Sequence, residues 1–151
     1  MTLVRGSLAV IEQTPVRLLG VDLGTKRIGI AVSDELGFGA YPRETLARAR
    51  SRAQDIAAIL SWAQRETVGA IVVGLPLGIE GNKNDWTLHC ERFAAALGEA
   101  TDLPIILQDE FLSSQEAQAD LIAAGVSRKQ RVAVIDQAAA VRILESYLKS
   151  Q

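Results

Sequence analysis

The sequence predicts an α/β fold in three layers, a mixed five-stranded sheet with helices on both faces. Three observations predict it. The first apolar segments are separated by turns too short for a parallel crossover, so those strands run antiparallel. Farther on, apolar segments alternate with stretches of helical period. The chain has 151 residues, 48% hydrophobic and 23% charged, which suits one domain with a proper core.

Residues 1–15 are expected to be a poorly ordered extension, and residues 16–149 the single domain. Val16–Leu23 (VRLLGVDL) is an apolar strand bounded by Pro15 and Gly24. Ile28–Ser33 is a second strand, with Ile28, Ile30 and Val32 alternating with Gly29 and Ala31. Asp34–Gly37 is a turn, and Phe38–Arg43 is the third strand. Within residues 46–65, Ala53, Ile56, Ala57 and Leu60 form one helical stripe. Ala70–Leu75 (AIVVGL) is apolar on both faces, as a central parallel strand is. A helix is expected from about Asp85 to Ala100, with Trp86, Cys90, Phe93 and Leu97 on one face. Pro104–Gln108 is the last strand. Ser113-x-x-Glu116 has capping-box spacing and opens a helix that stops near Gly125. The final helix runs from about Val134 to Leu148.

The apolar run near the N-terminus is short and is followed by Glu12, unlike a secretory signal. With no membrane-length apolar run either, a cytoplasmic protein is expected. The single cysteine, Cys90, excludes an internal disulfide and a thiolate metal cluster. A formal net charge of −2 does not advertise nucleic-acid binding. Two local runs do carry positive charge: Arg43, Arg48, Arg50 and Arg52, then Arg128, Lys129 and Arg131. They are either solubilising decoration or, beside an acidic site, a grip on a polyanion.

Three acids fall where the expected topology gathers them. Asp22 lies near the end of the first strand and Glu110 just past the end of the last, the place where open α/β sheets build sites. Asp136 lies in the first turns of the last helix, on the face shared with Ala140, Ile143 and Tyr147. Each has a plainer role: Asp22 accepting turn amides, Glu110 as a loop charge, Asp136 favouring its helix N-terminus. Together, three carboxylates repel one another and call for hard divalent ions, Mg²⁺ or Mn²⁺. Two such ions roughly 3.5–4 Å apart can bridge a phosphodiester. Asp22 would touch both ions, with Glu110 and Asp136 on either side and Lys26 or Arg27 on a flanking phosphate.

The segment Asp22-Leu-Gly-Thr-Lys-Arg-Ile-Gly-Ile-Ala-Val resembles the first motif of the YqgF/RuvX family. Its members are ribonuclease-H-like proteins named as Holliday-junction resolvases and as pre-16S ribosomal RNA nucleases. Three more blocks agree in order: Ile71-Val-Val-Gly-Leu-Pro-Leu with Gly81, Asp109-Glu110-Phe111-Leu112-Ser113-Ser114, and Ile135-Asp136-x-x-Ala139-Ala140. The likeness spans about residues 17–149. It implies a ribonuclease-H-like fold, with Asp22, Glu110 and Asp136 as metal ligands. It also implies Ser113 and Ser114 near substrate, a glycine-rich substrate loop at Gly74, Pro76, Gly78 and Gly81, and precursor rRNA or a pre-ribosomal particle as partner. A junction resolvase and a non-catalytic ribosome-assembly factor are the alternatives, and the chain is expected to be a monomer or homodimer. One position departs: the family usually has Arg beside the second acid, where this chain has Phe111. Phe111 either stacks on a base or, the preferred reading, packs under the loop.

Other features point less far. Asp22-Leu-Gly-Thr also resembles the first phosphate loop of the actin and sugar-kinase group, but those proteins need two lobes and a second phosphate loop, and these 151 residues offer neither the length nor a clear second loop. Gly74-Leu-Pro-Leu-Gly lacks the Lys-Ser/Thr ending of a phosphate-binding loop. His89, Cys90, Trp62 and Trp86 are expected to pack rather than bind.

Overall fold

The structure is a computed structural model that describes residues 2–5, 16–78, 81–111, 125 and 127–151; at residues 2–5, 111 and 128–134 it describes the backbone. The elements are β1 (Thr2–Arg5), β2 (Leu18–Leu23), β3 (Arg27–Ser33), β4 (Ala40–Ala47), α1 (Arg52–Arg65), β5 (Ala70–Leu77), α2 (Asp85–Glu99), β6 (Ile105–Phe111) and α3 (Arg128–Lys149). The sheet order is β1-β6-β5-β2-β3-β4. At its centre β6, β5 and β2 run parallel, while β3 and β4 extend the sheet antiparallel beyond β2. The expected five strands are therefore present. A sixth, β1, comes from the N-terminal segment and pairs antiparallel with β6. Residues 6–15 lie outside the described residues.

The strands alternate faces, so one sheet serves two cores. One core joins Leu19, Val21, Ile28, Ile30, Ile71 and Val73 to Ile56, Ile59 and Ala63 of α1 and to Cys90, Phe93, Ala94 and Leu97 of α2. The other packs Leu18, Ala31, Val72 and Ile106 against Ala140, Ile143, Leu144 and Tyr147 of α3. Helices thus cover both faces. Among the described residues none is long and apolar enough to cross a membrane.

Several boundaries differ from the sequence expectation. β4 continues to Ala47, so α1 starts at Arg52, capped by the Ser51 side chain accepting from Gln54 N. The buried stripe of α1 is Ile56, Ile59 and Ala63, with Ala53 and Ala57 exposed. β6 reaches Phe111, which puts Glu110 inside the strand. Gly74 and Pro76 lie in β5, not in a loop. α3 begins at Arg128, so Asp136 is more than two turns into the helix. The helix expected from Ser113 falls on residues 112–124, outside the described residues.

Candidate active site

Asp22 is the one charged residue in a strand whose neighbours Val21 and Leu23 are buried. It shares the α3 face of β2 with Gly20 and pairs with Gly29 of β3. These glycines seat the helix. A Cβ on Gly20 would lie 2.6 Å from Leu144 Cγ and 2.9 Å from the Ala140 carbonyl oxygen. A Cβ on Gly29 would collide with the Asp136 backbone, and one on Gly74 with the end of Ile143. The α3 backbone therefore rests directly on the strands, and Asp136 is delivered beside the strand pair that carries Asp22.

Glu110 arrives from the other side. It sits opposite Pro76 in the β5–β6 register. Its Cγ lies 3.9 Å from the point where a Cβ on Gly74 would stand, so it leans back over that bare position. Gly74 is one step past the registered pair Val21↔Val73, which places it alongside Asp22. Three glycines thus clear the floor between the strands and α3 beside which the acids stand.

The charges of Asp136 and Glu110 both bear on Asp22. Asp22 is pushed from 3.8 up to about 7, first by burial, then by the charges of Asp136 and Glu110. Glu110 is also raised, chiefly by burial, with Asp109 adding; a hydrogen bond to Ser146 and the charge of Arg142, both on α3, act against the shift. Glu110 Oε1 is buried without a hydrogen-bond partner. Asp136 Oδ2 accepts from Arg27 Nε at 2.7 Å. Among the described residues no group of three His, Cys, Asp or Glu side chains is arranged to hold a metal ion.

The expected contact residues divide. Arg27 is held on Asp136, and Lys26 is exposed in the β2–β3 turn. Arg128, Lys129 and Arg131 lie in the first turns of α3. Ser113 and Ser114 lie outside the described residues. Gly78 N donates to Asn82 O at 2.8 Å, and Gly81 has φ +76, so the glycines after β5 form a tight turn. His89 stacks on Trp86 with ring centroids 4.8 Å apart, and burial followed by Arg48, Arg52 and Arg92 lowers its pKa. Cys90 is fully buried, its thiol pushed up to about 12 chiefly by burial.

Two determinants of the site carry no motif signal. One is the glycine row, visible in the sequence only as glycines inside apolar strands. The other is Arg48, part of the first basic run. Its Nε donates to Asp55 Oδ2 at 2.7 Å and its NH1 to the Gly24 carbonyl at 2.7 Å, while its backbone N–H donates to Lys26 O. Arg48 therefore clamps the turn that follows Asp22. Arg43 is likewise engaged, donating to Glu66 at 2.6 Å. Of that run, Arg50 and Arg52 stand exposed.

Comparison with known proteins identifies relatives over most of the chain. The family model described as "RuvX: Holliday junction resolvase" matches residues 16–150. A protein of Nitratidesulfovibrio vulgaris named "Putative pre-16S rRNA nuclease" is 46% identical over 87% of this chain and 92% of its own. A Geobacillus kaustophilus protein of the same name is 46% identical over 89% of this chain and 99% of its own. Among solved structures, Thermus thermophilus RuvC in complex with a Holliday junction substrate superposes with a TM-score of 0.54 at 15% identity. That match covers 89% of this chain and 94% of the other, and it shows a shared ribonuclease-H-like fold.

Proposed function

This chain belongs to the RuvX family, and from that premise we propose that it hydrolyses the precursor of 16S ribosomal RNA at its 5′ end, using divalent metal held by Asp22, Glu110 and Asp136. It is a nuclease, and so a hydrolase. The observation that carries the site assignment is Asp22: a largely buried carboxylate raised to about 7 with two other acids pressing on it. Nothing in stability explains such a grouping, because buried like charges cost free energy. A hard divalent cation does explain it. It would neutralise Asp22 and satisfy the buried, unpartnered Glu110 Oε1. All the donors are carboxylate oxygens, which suits Mg²⁺ or Mn²⁺, and three acids suit two ions.

When bound, such ions supply Lewis-acid polarisation of the phosphodiester and of an attacking water. The chain's own groups do the rest. Asp22 would contribute to holding both ions, and Glu110 and Asp136 would each help to hold one. The exposed Lys26 is positioned to meet a flanking phosphate. Arg128, Lys129 and Arg131 add positive charge at the start of α3, where a polyanion also meets the helix N-terminus. A precursor-rRNA substrate would be met in the cytoplasm, with the pre-ribosomal particle as partner.

A second reading, cleavage of branched DNA, is favoured by the description of the family model. It requires two sites related by symmetry, hence a dimer in solution. The deciding experiment compares wild type and Asp22→Asn on precursor rRNA, single-stranded RNA and a four-way DNA junction, with Mn²⁺ or EDTA. Mn²⁺-dependent cleavage of the precursor that disappears in D22N supports the proposal. Preference for the junction selects the second reading. Binding without cleavage by either protein would leave an assembly factor and remove the catalytic assignment.

A further inference from the structure

Arg27 stands between the acidic site and solvent in a way that neither a structural brace nor a simple phosphate contact requires. Its Nε donates to Asp136 Oδ2 at 2.7 Å, joining parts of the chain 109 residues apart. The Asp136 side chain is 16% exposed and that of Arg27 39%. The backbone of Arg27 is fixed: its carbonyl accepts from Gly24 N at 2.8 Å, and it pairs with Ala47 of β4. The side chain therefore extends from a fixed backbone and stays partly in water. Of the chain's own cations, Arg142 acts on Glu110, and Arg27 holds Asp136.

A guanidinium and a hard divalent ion compete for the same carboxylate oxygens, since each answers the same negative charge. The planar fork of arginine also matches phosphate oxygens, its other preferred partner. We propose that Arg27 is an exchangeable counter-ion of Asp136: it occupies the carboxylate at rest, yields it on metal loading, and then grips a phosphate of the bound strand. Grip on substrate is thereby tied to a loaded site through one side chain. The inference rests on the metal-site reading above.

The test measures Mn²⁺ binding by electron paramagnetic resonance, without nucleic acid, on wild type, R27Q, D136N and the double variant. Removal of the competitor tightens Mn²⁺ binding in R27Q by roughly threefold to fivefold, the most a part-exposed ion pair returns. D136N and the double variant bind alike, because the competition runs through Asp136. R27K, which keeps the charge, returns the affinity toward the wild-type value. In Ca²⁺, R27Q also lowers the salt slope of binding to a labelled single-stranded RNA by about one, and in EDTA it does not. Unchanged or weaker Mn²⁺ binding in R27Q would make the pair a fixed brace and overturn the proposal. If wild type and R27Q both fail to bind Mn²⁺, the metal-site reading falls first and takes this inference with it.

Discussion

Burial and like charge act together on Asp22, and their sum sets a pH dependence. In the unfolded chain an aspartate ionises near its ordinary value of 3.8; in the metal-free fold it does so at about 7. Between those values the native state holds the extra proton, so stability falls as pH rises from about 4 to 7 and levels off above. The shift is worth on the order of 4 kcal/mol. Asp22→Asn, lacking the ionisable group, is therefore more stable than wild type in metal-free melts at pH 8 and nearly equal at pH 4. A parallel pair of melting curves against pH would remove burial of this carboxylate as the cause. Two arginines of one basic run differ in the same physical terms. Asp55, with its side chain 3% exposed, depends on Arg48, and Arg48→Ala costs about 3–5 kcal/mol in a denaturant melt. Arg43→Ala costs under about 1 kcal/mol, because its partner Glu66 also pairs with Arg17 and the arginine itself is half in water. Equal losses for the two would contradict the difference in burial. At this scale the three acids were legible in sequence, since each lies at the end of an apolar pattern or on a helical face. Arg48 was not, because a salt bridge formed across the β4–α1 corner leaves no period.

The approach of α3 to the sheet is the element-level fact on which the site depends. Gly29 meets the Asp136 carbonyl backbone, not the flexible end of a side chain, so an added methyl has no cheap escape. Gly29→Ala must lift α3 from β3 at Asp136, costing about 1–3 kcal/mol and drawing Asp136 away from Asp22. The expected outcome is a lower melting temperature together with weaker Mn²⁺ binding by calorimetry. Full Mn²⁺ affinity in a folded G29A protein would mean that this contact does not position Asp136. The beginning of α3 was hidden in the sequence for a physical reason. Arg128, Lys129 and Arg131 oppose the helix dipole at an N-terminus, and no acid stands in the first turn. The expected third strand stops at Arg43, whereas β4 runs on through Glu44, Thr45 and Leu46 to Ala47 and holds Pro42 within it, as an edge strand tolerates. The central strands and the buried face of α2 were legible because their apolar patterns leave little choice of partner.

Across the whole molecule, two cores share one sheet, and the acids stand on the face covered by α3. The sequence shows that division through continuous apolar strands flanked by amphipathic helices. It does not show β1, because four residues pairing at an edge carry no distinctive period. Since β2, β5, β6 and α3 all contribute to the acidic site or its floor, a ligand there stabilises the fold as a unit. An ion bound only by the native state adds about 2.7 kcal/mol at a concentration one hundred times its dissociation constant. For a chain of this length that raises the melting temperature by roughly 5–11 °C. The gain has a pH sign of its own. Below about 7 the ion must displace the Asp22 proton, so the Mn²⁺-induced rise is larger at pH 8 than at pH 6. Differential scanning calorimetry at the two pH values, with Mn²⁺ or EDTA, checks both statements. In D22N the rise shrinks and depends less on pH, because the ligand with the large shift is gone. An equal rise in D22N and wild type at both pH values would place the cation elsewhere on the molecule and separate it from the acidic site.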